Sequence, residues 1–137
     1  LGEAGFLGYN TIKEAINRGY TVKTVDIVEL PETLDLGKDN VEFTIKDFFN
    51  LTDQEIIDLL SDYDGFIYAG GVDERTVPEK PARKFFYEKN VLPTQRISRL
   101  AKEAGVKNFV VFGSYTAELG EKSQELRENH YHEEAYV

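Results

Sequence analysis

Helix-like and strand-like periodicities alternate along this chain, and that alternation constrains its fold more than any other feature. Parallel strands cannot be joined by a tight turn and need a crossover, usually a helix. The rhythm therefore points to an α/β fold, a doubly wound parallel sheet covered by helices on both faces. The spacing predicts a helix from about Phe6 to Arg18, with Ile12, Ala15 and Ile16 on its inward face and Gly19 as its stop signal. A strand over Tyr20 to Ile27 follows, then a loop from Val28 to Asn40 that holds Pro31 and Gly37 and has room for a helical turn. Val41 to Ile45 reads as the next strand.

Thr52 is an expected N-cap, with Glu55 three residues on to complete a capping box, for a helix through Leu60 that buries Ile56, Ile57, Leu59 and Leu60. A strand over Gly65 to Ala69 comes next. Pro78 and Pro81 stand among charges between Gly71 and Ala82, which reads as a surface loop. A long helix is expected from about Phe85 to Ala104, ending at Gly105. Pro93 lies inside that pattern and predicts a kink or break near Leu92, because proline has no N–H to donate. The last strand runs from Asn108 to Phe112. Within the long helix Phe85, Phe86 and Tyr87 form a dense aromatic cluster, read as core packing or part of a subunit contact.

Composition removes several function classes. The chain has no cysteine, which excludes disulfides, thiolate zinc sites and a cysteine nucleophile. Its 25 acidic against 16 basic residues leave a net charge of −9, which opposes general affinity for nucleic acid or an anionic membrane surface. No apolar run approaches the roughly 20 residues needed to cross a bilayer, and no signal peptide opens the chain, so a cytoplasmic location is expected. Position 1 is Leu rather than Met. The 137 residues are expected to be one domain, incomplete at both ends, with a short apolar strand before Leu1 feeding the centre of the sheet.

Gly2, Gly5 and Gly8 are spaced at intervals of three directly ahead of the first amphipathic helix. A pyrophosphate site asks for such a pattern: a tight strand-to-helix turn, close backbone approach to phosphate, and a small residue where helix meets sheet. The helix start then offers N–H groups and the positive end of its dipole. Asp26 ends the following strand roughly 20 residues later, where a carboxylate can accept both hydroxyls of an adenosine ribose and would repel a 2′-phosphate. That argues for NAD over NADP. Asp47, just past the next strand, is placed either to meet the adenine amino group or to form a turn. His130 and His132, flanking Tyr131, read as a solvated helix start and not as a metal pair, since i and i+2 point apart on a helix. No metal site is expected.

These residues resemble the extended short-chain dehydrogenase/reductase family of NAD-dependent epimerases and dehydratases, over nearly the whole chain. The family's glycine pattern looks like Gly2-x-x-Gly5-Phe6-Leu7-Gly8, its ribose acid like Asp26, and its adenine acid like Asp47 followed by Phe48. Ala69-Gly70-Gly71 looks like its cofactor-lining segment, Asn90 like the Asn at the start of its long helix, and the run from Ala104 to Phe109 like its lead into the last strand. The resemblance implies a Rossmann-type NAD-binding domain over 1–137, and a homodimer through the long helix around 85–104.

The resemblance also implies a Ser or Thr after the last strand, and a Tyr with a Lys four residues later. The Tyr exchanges a proton with the substrate while hydride moves, and the Lys lowers its pKa. The Ser position falls on Ser114 or is taken by Tyr115, depending on register. Tyr136 is the preferred Tyr; its rival Tyr131 has Ala135 four residues on, whereas the Lys paired with Tyr136 would be residue 140. The expected protein is an NAD-dependent oxidoreductase, epimerase or dehydratase acting on a small hydroxyl-bearing substrate such as a nucleotide sugar. The alternative is a non-catalytic NAD-binding protein of the same fold with a structural or sensing role.

Overall fold

The computed structural model describes residues 5–28, 41–72 and 82–113. In chain order the elements are α1 (Phe6–Asn17), β1 (Val22–Asp26), β2 (Val41–Ile45), a 3₁₀ turn (Phe48–Asn50), α2 (Asp53–Leu60), β3 (Gly65–Tyr68), α3 (Ala82–Phe86), a π-helical turn (Tyr87–Val91), α4 (Leu92–Glu103) and β4 (Asn108–Val111). Helices and strands alternate as expected. The loops over 29–40 and 73–81, the Ser114–Tyr115 segment and the region of Tyr131 and Tyr136 lie outside the described residues.

Two of the three helices that lead into a strand, α1 and α4, stop the same way. After α1, Gly19 adopts φ +81°, its N–H donates to the Ile16 carbonyl at 2.8 Å, and the Tyr20 N–H reaches back to Ala15 at 3.0 Å. After α4, Gly105 also stands at φ +81°, with Gly105 bonded to Lys102 at 3.1 Å and Val106 to Ala101 at 3.0 Å. These are Schellman closures, and their left-handed residue is where glycine's missing Cβ matters. The first also corrects a boundary. Tyr20 was expected to begin the strand, but its N–H is held by the helix end, and β1 begins at Val22.

α2 has the capping box its sequence promises: the Glu55 N–H donates to Thr52 Oγ1 at 3.2 Å, and the Thr52 N–H donates to Glu55 Oε2 at 2.8 Å. Ile56 and Leu60 are buried, whereas Ile57 and Leu59 are only partly covered at the core's margin. The long helix begins three residues earlier than predicted and is not one α-helix. Pro93 cannot donate to the turn before it, and the chain widens to a π-turn over Tyr87–Val91 before α4 starts at Leu92. Phe86 is buried with Phe85 edge-on to it at 5.5 Å, while Tyr87 is exposed. β3 and β4 each stop one residue short of expectation, extended by one bond from the Phe112 N–H to the Tyr68 carbonyl at 3.3 Å.

All strand pairing is parallel: Val22 to Asp26 pair in register with Val41 to Ile45, and Gly65 to Tyr68 with Asn108 to Val111. Among the described residues these are two separate two-stranded sheets, so β1 and β3 are not paired with each other. Side chains alternate across a strand, so Val22 and Val25 face opposite sides. Val22 packs with Ile12, Ile16 and Val41 beneath α1, and Val25 joins the main core of Phe48, Ile56, Phe66, Tyr68, Ile97 and Leu100 beneath α2 and α4. Helices therefore cover opposite faces of the parallel strands, the doubly wound arrangement expected from the sequence.

Arg96 ties α4 to the first residue of α2 and to the segment before it. Its Nε donates to Asp53 Oδ1 at 2.8 Å, while its terminal nitrogens donate to the Phe49 and Leu51 carbonyls at 3.1 and 2.6 Å. Arg99 donates to the other Asp53 oxygen at 2.6 Å. The Arg99 and Arg96 hydrogen bonds hold the Asp53 carboxyl below the usual carboxylate range. A lowered folded pKa means this stabilisation is complete above the ordinary carboxyl value of about 4 and is lost as pH falls through the lower folded value. The thermal midpoint should therefore drop on acidification, with a shallower pH slope in Asp53→Asn. An unchanged slope in that variant would dismiss the linkage.

Candidate functional site

Parallel strands bring all their C-terminal ends to one side of a sheet, and ligands of open α/β folds bind in the crevice there. β1 ends on Asp26 and β2 runs into Lys46 and Asp47, the two held together by the Lys46 N–H donating to the Asp26 carbonyl at 2.8 Å. β3 runs into Ala69, Gly70, Gly71 and Val72, and β4 into Phe112 and Gly113. α1 joins this end from the other direction. It rises roughly 18 Å over 12 residues, turns tightly at Gly19 and returns as β1, whose five residues cover roughly 17 Å. Its start is thereby carried back toward the level of Asp26.

That start carries Gly5 as N-cap in an extended conformation, with no side chain capping it and no acid in the first turn. α2 is the contrast, with a capped start and two acids in its first turn. The leading N–H groups and positive dipole end of α1 are thus not neutralised by a side chain of its own cap. Gly8 is buried where the helix faces the strands, and Phe6 and Leu7 between the two glycines are exposed. Gly2 lies outside the described residues. Asp26 is half-buried, and its Oδ1 accepts the Ile27 N–H at 2.7 Å, which fixes the direction of the carboxylate at the strand end.

Asp47 and Phe48, expected at the adenine, have local tasks. Asp47 caps the 3₁₀ turn: Oδ1 accepts the Phe49 N–H at 3.1 Å and Oδ2 accepts from the Asn50 amide at 2.7 Å. This is the turn-forming role the sequence left open. Phe48 lies in the core, stacked on Phe66 with ring centroids 6.3 Å apart.

The segment after β3 is shaped by its neighbours. A Cβ on Gly70 would come within 2.7 Å of the Tyr68 ring, and Tyr68 is buried. Burial pushes the Tyr68 phenol up from its usual value, so it stays protonated. Gly70 is therefore required sterically. Asn90 reaches this segment from the π-turn by two hydrogen bonds to Val72, at 2.8 and 2.9 Å. Neither Tyr68 nor Val72 was singled out from sequence, since nothing local marks them.

Ser114, Tyr115 and Tyr136, the expected catalytic positions, lie outside the described residues. Among the described residues no group of three or more His, Asp or Glu is placed to hold a metal ion, and no helix is long and apolar enough to cross a membrane.

The arrangement fits a bound dinucleotide at three points: an uncapped helix start for the phosphates, an oriented carboxylate for a ribose, and a glycine segment past β3 where the backbone can be approached. Over 116 residues the chain is 28% identical to the mouse (Mus musculus) sterol-4-alpha-carboxylate 3-dehydrogenase, decarboxylating, covering 83% of this chain and 28% of that protein. Over 130 residues it is 26% identical to the UDP-glucose 4-epimerase of Caenorhabditis elegans, covering 84% of this chain and 37% of that protein. The chain thus spans less than two fifths of either relative. The model of the NAD dependent epimerase/dehydratase family matches residues 1–136. A match that takes in the glycine loop and every described element in order makes this chain a member of the NAD dependent epimerase/dehydratase family.

Proposed function

We propose that this chain holds NAD, and that the whole protein uses it to oxidise or reduce a hydroxyl-bearing substrate such as a nucleotide sugar. The observation that carries the reading is Asp26, an oriented carboxylate at the end of the strand that α1 feeds, on the side where that helix offers its uncapped start. The N–H groups at the start of α1 hold the pyrophosphate. Asp26 accepts the adenosine ribose hydroxyls and repels a 2′-phosphate. The backbone past β3, kept free of side chains at Gly70 and Gly71, lies against the remainder of the dinucleotide.

NAD supplies the hydride acceptor when bound. Tyr136, deprotonated, takes the proton of the substrate hydroxyl as the adjacent C–H gives up its hydride, and it returns the proton when a carbonyl is reduced. Ser114, or Tyr115 in the other register, holds the same oxygen by a hydrogen bond. The two relatives' names, a dehydrogenase and an epimerase, support hydride chemistry of this kind.

Calorimetric titration of the purified chain with NAD and with NADP tests the binding half. NAD should bind at least about ten-fold more tightly, the factor set by one charge-assisted hydrogen bond. Equal affinities for the two would remove Asp26 from the ribose.

A further inference from the structure

The guanidinium of Arg96 has an acceptor for each of its three nitrogens. Nε donates to Asp53 Oδ1 at 2.8 Å, one terminal nitrogen to the Phe49 carbonyl at 3.1 Å and the other to the Leu51 carbonyl at 2.6 Å. Two of these acceptors are backbone atoms of one stretch, the 3₁₀ turn over Phe48–Asn50 and the Leu51 that caps it. The hydrogen-bond geometry of a 3₁₀ turn is poor, so a turn of three residues rests on what holds it from outside. Asp47 holds its start by accepting the Phe49 N–H and the Asn50 amide, Phe48 is buried at its middle, and Arg96 takes the carbonyls at its end. The rigid planar fork of arginine sets all three directions at once, and a lysine of the same charge cannot reproduce them.

The held stretch begins beside Asp26. β2 ends at Ile45, and the next N–H, that of Lys46, donates to the Asp26 carbonyl at 2.8 Å. A ribose on the Asp26 carboxylate carries its base toward the exit of the paired strand, where residues 46–50 run. We propose that Arg96 is a positioning residue for the adenosine half of the dinucleotide: from α4 it fixes the path of residues 46–50, against which the base lies, and it does not itself touch the cofactor. This rests on the NAD reading above. Asp53 shares the Arg96 fork but belongs to α2, beyond that stretch, so removing its charge leaves both carbonyl bonds in place.

Arg96→Lys and Asp53→Asn in the full chain separate positioning from plain stabilisation. The readouts are amide hydrogen exchange at Asn50 and Leu51, whose N–H groups close the turn on Asp47 and Phe48, affinity for AMP and for NAD, and the thermal midpoint. Arg96→Lys keeps the charge and loses the fork, and it should speed exchange about ten-fold, as loss of two hydrogen bonds to carbonyls allows. It should weaken AMP and NAD by one common factor of about five to ten, because the adenosine end is shared by both. Asp53→Asn should lower the thermal midpoint and leave both affinities within about two-fold. Affinity that falls in both variants in step with the thermal midpoint would make Arg96 merely structural and overturn the proposal. So would faster exchange in Arg96→Lys with AMP affinity unchanged, or NAD weakened with AMP intact, which would put the effect at the other end of the dinucleotide. Unchanged exchange in both Arg96→Lys and Arg96→Ala would equally end it. If the unsubstituted chain binds neither AMP nor NAD, the cofactor reading fails and the positioning role fails with it, while exchange at Asn50 in the variants still decides whether Arg96 holds the turn.

Discussion

Replacing Tyr136 with Phe in the complete protein should lower turnover by about 10²- to 10⁴-fold while leaving NAD affinity within about two-fold, the range expected when a general acid–base group is removed without loss of volume. Phenylalanine keeps the ring and lacks only the hydroxyl. What disappears is the oxygen proposed to take and return the substrate proton. Both kcat and kcat/KM should fall together, because the proton is in flight only in the transition state. Activity retained in Tyr136→Phe would move the role to Tyr115, and Tyr115→Phe would then carry the loss. NADH carried through purification by the unsubstituted protein, read from its absorbance and fluorescence, would establish that the protein binds the reduced cofactor.

Asp26→Ala should weaken NAD and strengthen NADP relative to it, narrowing the preference by about 10- to 100-fold. The carboxylate acts in both directions. On the proposed reading it accepts hydrogen bonds from the ribose hydroxyls of NAD, and bonds to a charged acceptor contribute about 1.5 to 3 kcal/mol each. With NADP the same charge faces a phosphate that offers no hydroxyl at the 2′ position, a repulsive contact that discriminates by exclusion. Asp26→Asn separates the two effects, since it keeps a hydrogen-bonding side chain and removes the charge. Its NADP affinity should rise more than its NAD affinity falls. The Ile27 N–H bond to Oδ1 aligns the native side chain, and an Asn carbonyl oxygen can accept the same bond. An unchanged NAD to NADP ratio in both variants would place the ribose elsewhere.

Much of the fold was legible because its signals act between near neighbours. The Thr52–Glu55 box spans three residues, and the stops at Gly19 and Gly105 close within five. β2 runs from Val41 to Ile45 as its apolar alternation predicts. Pro93 marked the break in the long helix, although not its form. A missing donor can be absorbed by a kink or a widened turn, and packing on both sides selects between them. Burial was less legible for the same reason: Ile57 and Leu59 have the spacing of core residues, but α2 presents only the Ile56 and Leu60 edge squarely to the sheet.

The candidate site divides along the same line. Glycine spacing and the strand-end Asp26 are local and point to a dinucleotide without any coordinates. Asp47 could not be assigned from sequence, because an acid two residues past a strand suits a turn and a ligand equally; in the fold both its oxygens cap the next turn. Asn90 meets Val72 across 18 residues, and Arg96 meets Asp53 across 43. The order and kind of the elements, the two glycine closures and the α2 cap were determined by the sequence alone, since each depends on hydrogen bonds or periodicities within about one turn of the chain. The two-faced core, the Arg96 clamp and the grip of Asn90 on the loop after β3 were decided only by tertiary structure. Each requires elements distant in sequence to pack at a particular angle and register, and no local pattern encodes that.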